Sequence, residues 1–156
     1  MNNLQSLEFF VPELILVITI IAALITDLFL KKSKTDVVGW VLGIGLIVVA
    51  LSVINLRHVP PTTLFLDMIV IDPFSSFIKL VVILSTILII IASWNNDELK
   101  DYRKGEYFTI MGIMVIGLFL MASCVDIIML YIAIEVVSIM SFILAAYLKL
   151  DTRSNE

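Results

Sequence analysis

Long apolar runs separated by short polar segments dominate this 156-residue sequence. Because an α-helix rises about 1.5 Å per residue, each long run is sufficient to cross a hydrocarbon core of about 30 Å. The pattern predicts an all-α membrane protein with five transmembrane helices that form a single transmembrane domain. These predicted helices occupy residues 11–30, 37–56, 73–94, 107–125 and 127–148.

The segments between the runs carry local start and stop signals. Residues 57–72 contain Pro60 and Pro61 and then an apolar part too short to span, so we expect an extended or interfacial segment there. Asp72 directly precedes a proline, which is typical of an N-cap followed by the first turn of a helix. Asp126 interrupts the last two runs, so we expect a very tight turn with Asp126 as a candidate cap.

Glu135 is the only carboxylate in the last run and stands near its middle. An ionised carboxylate is costly near the membrane midplane unless it is paired or hydrated. Tyr131, Ser138 and Phe142 share its helical face by their three- and four-residue spacing. We therefore expect this face to meet protein or water rather than lipid, and Glu135 is the principal candidate for a functional group.

Other acids and one lysine lie near the ends of the apolar runs. Lys79 is the only charge in the third run, where its stem could snorkel to the interface or its ammonium could pair with an acid on a neighbouring helix. Snorkelling is the first expectation and pairing the alternative. Glu13 is expected to be an interfacial first-turn acid, and Asp27 to pair with Lys31 four residues later.

Composition removes several classes of function. The chain is 61% hydrophobic with a net charge of −4 and has one cysteine and one histidine. A small unclustered charge gives no nucleic-acid footprint, and one cysteine excludes an intrachain disulfide and a four-cysteine iron–sulfur site. Because no basic segment precedes the first apolar run, a cleaved signal peptide is not expected.

The basic residues are distributed unevenly between the two sides of the predicted bundle. Eight of the ten fall in segments on one side: Lys31, Lys32, Lys34, Lys100, Arg103, Lys104, Lys149 and Arg153. Arg57 stands alone on the other side. The positive-inside rule then predicts an outside N-terminus and a cytoplasmic C-terminus.

Short motifs along the whole chain resemble one family. In chain order they are Pro12-Glu13-Leu14, Asp27-Leu28-Phe29, Asp67-Met68, Asp72-Pro73-Phe74, Lys79, Glu106-Tyr107, Met121-Ala122-Ser123, Asp126, Leu130-Tyr131, Glu135, Ser138, Lys149, Asp151 and Arg153-Ser154-Asn155-Glu156. Together they resemble the N-terminal part of subunit N of the proton-pumping NADH–quinone oxidoreductases, respiratory complex I. These antiporter-like subunits are related to Mrp-type cation/proton antiporters.

The resemblance implies a role for one residue. Glu135 matches a glutamate that belongs, in the family, to a buried chain of charges carrying protons. Lys79 is a further candidate charge partner, from its place as the only charge in the third run. The family's own partner lysines lie on later helices, in a subunit of about fourteen helices with inverted repeats. This sequence departs from many bacterial relatives at Met140, where they have proline, so a local kink is not expected here.

The resemblance also implies a setting. The chain would be part of a membrane-arm subunit that contributes to proton translocation coupled to electron transfer from NADH to quinone. It would lie in the bacterial inner membrane, with an organellar membrane as the alternative, among other membrane-arm subunits and lipid. NADH, FMN, iron–sulfur clusters and quinone would belong to other subunits, with no cofactor on this chain.

Two other functions fit the same helices. One is a subunit of a Mrp-type antiporter or a membrane-bound hydrogenase. The other is a structural membrane module without transport of its own, in which Glu135 is only hydrogen-bonded to a neighbouring helix.

Overall fold

The computed structural model describes residues 3–29, 36–94 and 104–147. In chain order the elements are α1 (Asn3–Phe9), α2 (Val11–Phe29), α3 (Asp36–Leu56), β1 (Thr62–Leu64), β2 (Ile69–Ile71), α4 (Pro73–Trp94), α5 (Lys104–Ser123) and α6 (Ile127–Tyr147). Within these ranges the five helices α2–α6 are long and apolar enough to cross a membrane, so the predicted helical membrane fold is confirmed. The fourth span begins and ends earlier than predicted, and α1 was not predicted.

The segment predicted to be extended forms a small antiparallel hairpin. Thr62 pairs with Ile71, and Leu64 with Ile69. The loop that joins β1 and β2 is unusual because Phe65, Leu66 and Asp67 all have positive φ angles, of 51°, 58° and 65°. Non-glycine residues rarely adopt this left-handed region, so three in succession give the loop an uncommon backbone conformation at the point where the chain direction reverses.

Residues on both sides of the hairpin loop contact neighbouring segments of the chain. The Phe65 ring meets the Phe10 ring edge-on, with centroids 5.3 Å apart, and the Phe65 N–H donates to Ser6 Oγ at 3.5 Å. On the other side the carbonyl of Met68 accepts the Val125 N–H at 2.9 Å. The hairpin therefore joins α1 to the turn between α5 and α6.

Two aspartates start helices as predicted. The Ser75 N–H donates to Asp72 Oδ1 at 2.7 Å, at the start of α4. The Ile128 N–H donates to Asp126 Oδ1 at 2.9 Å, at the start of α6. Each carboxylate satisfies a backbone donor that has no partner within the helix, which confirms both caps and the tight turn before α6.

Helix α5 lies at the centre of the bundle and packs against α2, α3, α4 and α6. Its large buried side chains are Phe108, Met111, Val115 and Phe119. They meet Leu16 of α2 and Leu42 and Leu46 of α3 in one apolar cluster.

The glycines of α3 do not form one helix-packing seam. A Cβ at Gly39 would lie 3.0 Å from the Phe108 ring, and one at Gly45 would overlap Thr19 of α2. A Cβ at Gly43 would meet nothing within 4 Å. The GxxxG spacing of Gly39 and Gly43 is therefore not the motif that allows close approach here.

Helix α6 is the least enclosed of the spans. Only 6% of its span is buried, compared with 33–44% for the other four. Ala133 is the one residue of α6 that is buried, and α5 is its main neighbour.

Candidate functional site

Glu135 lies on the open side of α6. Its side chain is exposed, and Tyr131, one turn earlier on the same face, interacts with it through a side-chain hydrogen bond. Tyr131 and Phe142 are 64% and 74% exposed, so the face predicted from their spacing is uncovered in the chain. Among the described residues, no lysine or arginine forms an ion pair with Glu135. The carboxylate therefore has a hydroxyl beside it and open space around it.

A second charged site is closed. Lys79 Nζ of α4 lies 2.6 Å from Glu13 Oε1 of α2, and the two residues are only 4% and 3% exposed. The snorkelling expectation for Lys79 is wrong, and the alternative of an acid on a neighbouring helix is correct. Glu13 is also not interfacial in the predicted sense, because it is enclosed.

Residues of α1, β2 and α3 lie around this ion pair, and of these elements only α1 was not predicted. Phe9 of α1 and Ile71 of β2 line a small cavity next to Lys79, together with Val53 of α3. These apolar groups lie beside the lysine, which is only 4% exposed in the described chain. Its ammonium lies 5.8 Å from the centre of the Phe119 ring, a favourable position for a cation.

The cavity is small and mostly apolar. Its volume is about 10 Å³, and its polar lining comes from Ser76 and Lys79. Such a space holds about one water molecule. An ammonium has three donors and Glu13 takes one, so one water there would find a donor in Lys79.

Two further acids share a groove of about 290 Å³ between α2 and α5. Asp27, Glu106 and Thr109 line it among apolar side chains. The Tyr147 hydroxyl of α6 donates to Glu106 Oε2 at 3.4 Å. The predicted partner of Asp27, Lys31, lies outside the described residues, so that pair stays a prediction.

Of the basic residues that predict the orientation, only Arg57 and Lys104, at which α5 begins, lie within the described residues. The prediction of an outside N-terminus is untested by the structure. Within residues 3–29, 36–94 and 104–147, no group of three His, Cys, Asp or Glu side chains is placed to hold a metal ion.

Fold and site together define a multi-pass helical membrane protein. Its distinguishing features are a membrane-depth carboxylate on an open helix face, Glu135, and a sealed ion pair, Glu13–Lys79.

Comparisons with known proteins give the relationship. The chain is 39% identical over 150 residues to NADH-quinone oxidoreductase subunit N 2 of Chloroherpeton thalassium, which covers 94% of this chain and 29% of that protein. It is 34% identical to the subunit N of Dehalococcoides mccartyi, over 96% of this chain and 30% of the relative. It is 29% identical to the F(420)H(2) dehydrogenase subunit N of Methanosarcina mazei, over 98% of this chain and 32% of the relative.

No family model matches the chain. The chain is nevertheless a homologue of NADH-quinone oxidoreductase subunit N along almost its whole length, which confirms the resemblance drawn from its motifs. It spans about 30% of the length of the relatives named here.

Proposed function

We propose that this chain is part of a membrane-arm subunit of a quinone-reducing proton pump, and that Glu135 is one of its proton-carrying groups. The observation that carries the proposal is the position of Glu135: a carboxylate at membrane depth, on a helix face left open by the rest of the chain. Carboxylates at that depth are expensive and mark proton or ion pathways in membrane proteins. The homology to subunit N supports the same role.

The environment of Glu135 would determine when it holds a proton. Apolar surroundings favour the neutral carboxyl group, and a nearby cation favours the carboxylate. A basic group that moved towards Glu135 and away again would therefore release a proton and then let another bind. Tyr131 is placed to hydrogen-bond the carboxyl group in either state. Lys79 stays outside this proposal, because Glu13 engages its ammonium.

The rest of the path must come from outside these helices. In the described parts of α3 and α5, polar side chains such as Ser52, Thr109 and Ser123 lie towards the helix ends. A path through about 30 Å of hydrocarbon needs several polar groups or waters in sequence. We propose that the open face of α6 is covered by further helices of the same subunit or by neighbouring membrane-arm subunits.

Electron transfer would take place elsewhere in the complex. The electron donor is not fixed by this chain, since one relative is named for NADH and another for F(420)H(2).

We propose the bacterial plasma membrane as the location of this chain, with the N-terminus outside. A cysteine at Asn55 in a Cys124→Ser background should then react with an impermeant thiol reagent on intact cells, and one at Lys100 should not. Labelling of the cysteine at residue 100 alone would show that the orientation is the opposite of the one proposed.

The proton role is tested in the assembled complex. Glu135→Gln keeps the shape of the side chain but cannot exchange a proton, so we expect fewer protons pumped per electron and slower coupled turnover. Glu135→Asp should retain part of both. Glu8→Gln, at an exposed acid of α1, is the matched control and should pump like the parent. An assembled Glu135→Gln complex that pumps at the parent rate would contradict the proposal.

A further inference from the structure

The sealed ion pair and the open carboxylate lie in the same layer of the bundle. Helices α4 and α6 both begin at the hairpin: Asp72 follows β2 directly, and the residues before α6 bond to Met68. At about 1.5 Å per residue, Lys79 lies about 9 Å along α4 and Glu135 about 12 Å along α6. Helix α5 lies between them and packs against both.

Direct contacts lead from the ion pair to α5. The Lys79 ammonium lies 5.8 Å from the centre of the Phe119 ring, and Phe119 is completely buried. Glu13 holds that ammonium in place from α2 at 2.6 Å. The position of this part of α5 therefore depends on a charge fixed from the other side of the bundle.

The same part of α5 packs directly against α6. A Cβ at Gly117 would lie 2.9 Å from a methyl of Val137 and 3.0 Å from one of Val136. Gly117 stands two residues before Phe119, and Val136 directly follows Glu135. Because α6 buries so little elsewhere, a displacement of α5 here would displace Glu135.

The pair itself is poorly suited to carry protons. Both members are nearly inaccessible and neutralise each other, and the adjoining cavity has room for about one water. In some proteins a buried pair of this kind specifies how the surrounding helices are arranged.

We propose that Glu13 and Lys79 are positioning residues. Through Phe119 they fix the surface of α5 against which α6 packs, and this surface sets the position of Glu135. The proposal rests on the proposed proton role of Glu135 only for its functional consequence. The pair exchanges no proton itself.

The test uses the assembled complex with Lys79→Met, Glu13→Leu and the double variant. Three quantities are measured: the amount of complex assembled, the protons pumped per electron, and the infrared carboxyl band of Glu135. The band is assigned as the band that disappears in Glu135→Gln. It reports the surroundings of Glu135 directly, so it remains informative even if the proton role fails.

Each single variant leaves one buried charge without its partner, so we expect assembly to fall by more than about tenfold. The complex that does assemble should show a shifted Glu135 band. The double variant replaces the pair by apolar groups of similar size, and its assembly and Glu135 band should both return towards those of the parent.

Phe119→Leu supplies a variant that keeps the ion pair and removes only the ring beneath it. We expect a shifted Glu135 band with the complex still assembled. An unchanged band in this variant would overturn the proposal, as would assembled single variants with the parent band. A double variant that assembles normally but no longer pumps would show instead that the pair carries protons.

Discussion

Two of the glutamates in the membrane-spanning helices, Glu13 and Glu135, have opposite surroundings. Glu13 is 3% exposed and bonded to a lysine, in the part of the bundle formed by α2, α4 and α5. Glu135 is exposed on α6, with a tyrosine hydroxyl beside it. The residue type is the same, so the difference comes entirely from what the neighbouring helices provide.

That difference separates two uses of charge in a membrane. A closed pair is electrically neutral and satisfied within the chain, so it can stabilise an arrangement of helices without further partners. An open carboxylate would be costly against lipid and is therefore a site that other polar groups must complete. The comparison teaches that membrane depth alone does not mark a proton-carrying residue, since the number of groups that can reach it also matters.

The sharpest test of this comparison makes the same substitution at both glutamates. In the purified chain in detergent, Glu13→Gln should lower the free energy of unfolding by about 3–5 kcal/mol, because it leaves the Lys79 charge buried without a counter-charge. Glu135→Gln should change it by less than about 0.5 kcal/mol, as expected for an exposed position. Denaturant titration followed by circular dichroism measures both. Equal losses at the two sites would contradict the division into a closed and an open region.

A smaller effect is expected at the seam that joins the two regions. Gly117→Ala places a methyl group against Val137, so α6 must move away from α5, and overpacking of this kind costs about 1–3 kcal/mol. Gly43→Ala is the matched control, since nothing lies within 4 Å of its new Cβ and alanine favours helix by up to about 1 kcal/mol. Thermal unfolding of both variants in detergent should move in opposite directions. A destabilised Gly43→Ala with an unaffected Gly117→Ala would contradict the contacts described.

The smallest effects are expected at the helix caps. Asp72→Ala and Asp126→Ala each remove an N-cap, which costs about 0.5–2 kcal/mol. The loss should be larger for Asp72, because its helix is better enclosed, with 33% of the α4 span buried and 6% of the α6 span. Asn at either position should retain the cap. Amide hydrogen exchange at Ser75 and Ile128 measures fraying at each helix start. Protection in the alanine variants equal to that of the parent would show that neither carboxylate stabilises its helix.

Local features of the fold were predictable from the sequence. The five spans follow from the length of their apolar runs, and their ends fall within a few residues of the prediction. Asp72 and Asp126 were identified as caps because a cap depends on residues within one turn. The shared face of Tyr131, Glu135 and Phe142 follows from helical geometry alone.

Features that depend on distant partners were not predictable. The partner of Lys79 is 66 residues away in sequence, and no periodicity in either helix indicates which faces meet. Helix α1 was missed because seven residues give too short a pattern, yet Phe9 helps to enclose the pair. The GxxxG spacing in α3 has the same limit, since a motif shows that helices can approach closely and does not show which glycine is used.

The bond from the Val125 N–H to the Met68 carbonyl has a consequence for mutational tolerance. Both partners are main-chain atoms, so exchanging either side chain leaves donor and acceptor in place. Proline at residue 125 is the exception, because it has no N–H to donate. The tie between the hairpin and the start of α6 is thus nearly independent of residue identity, and sequence at these two positions can vary widely while the geometry stays the same.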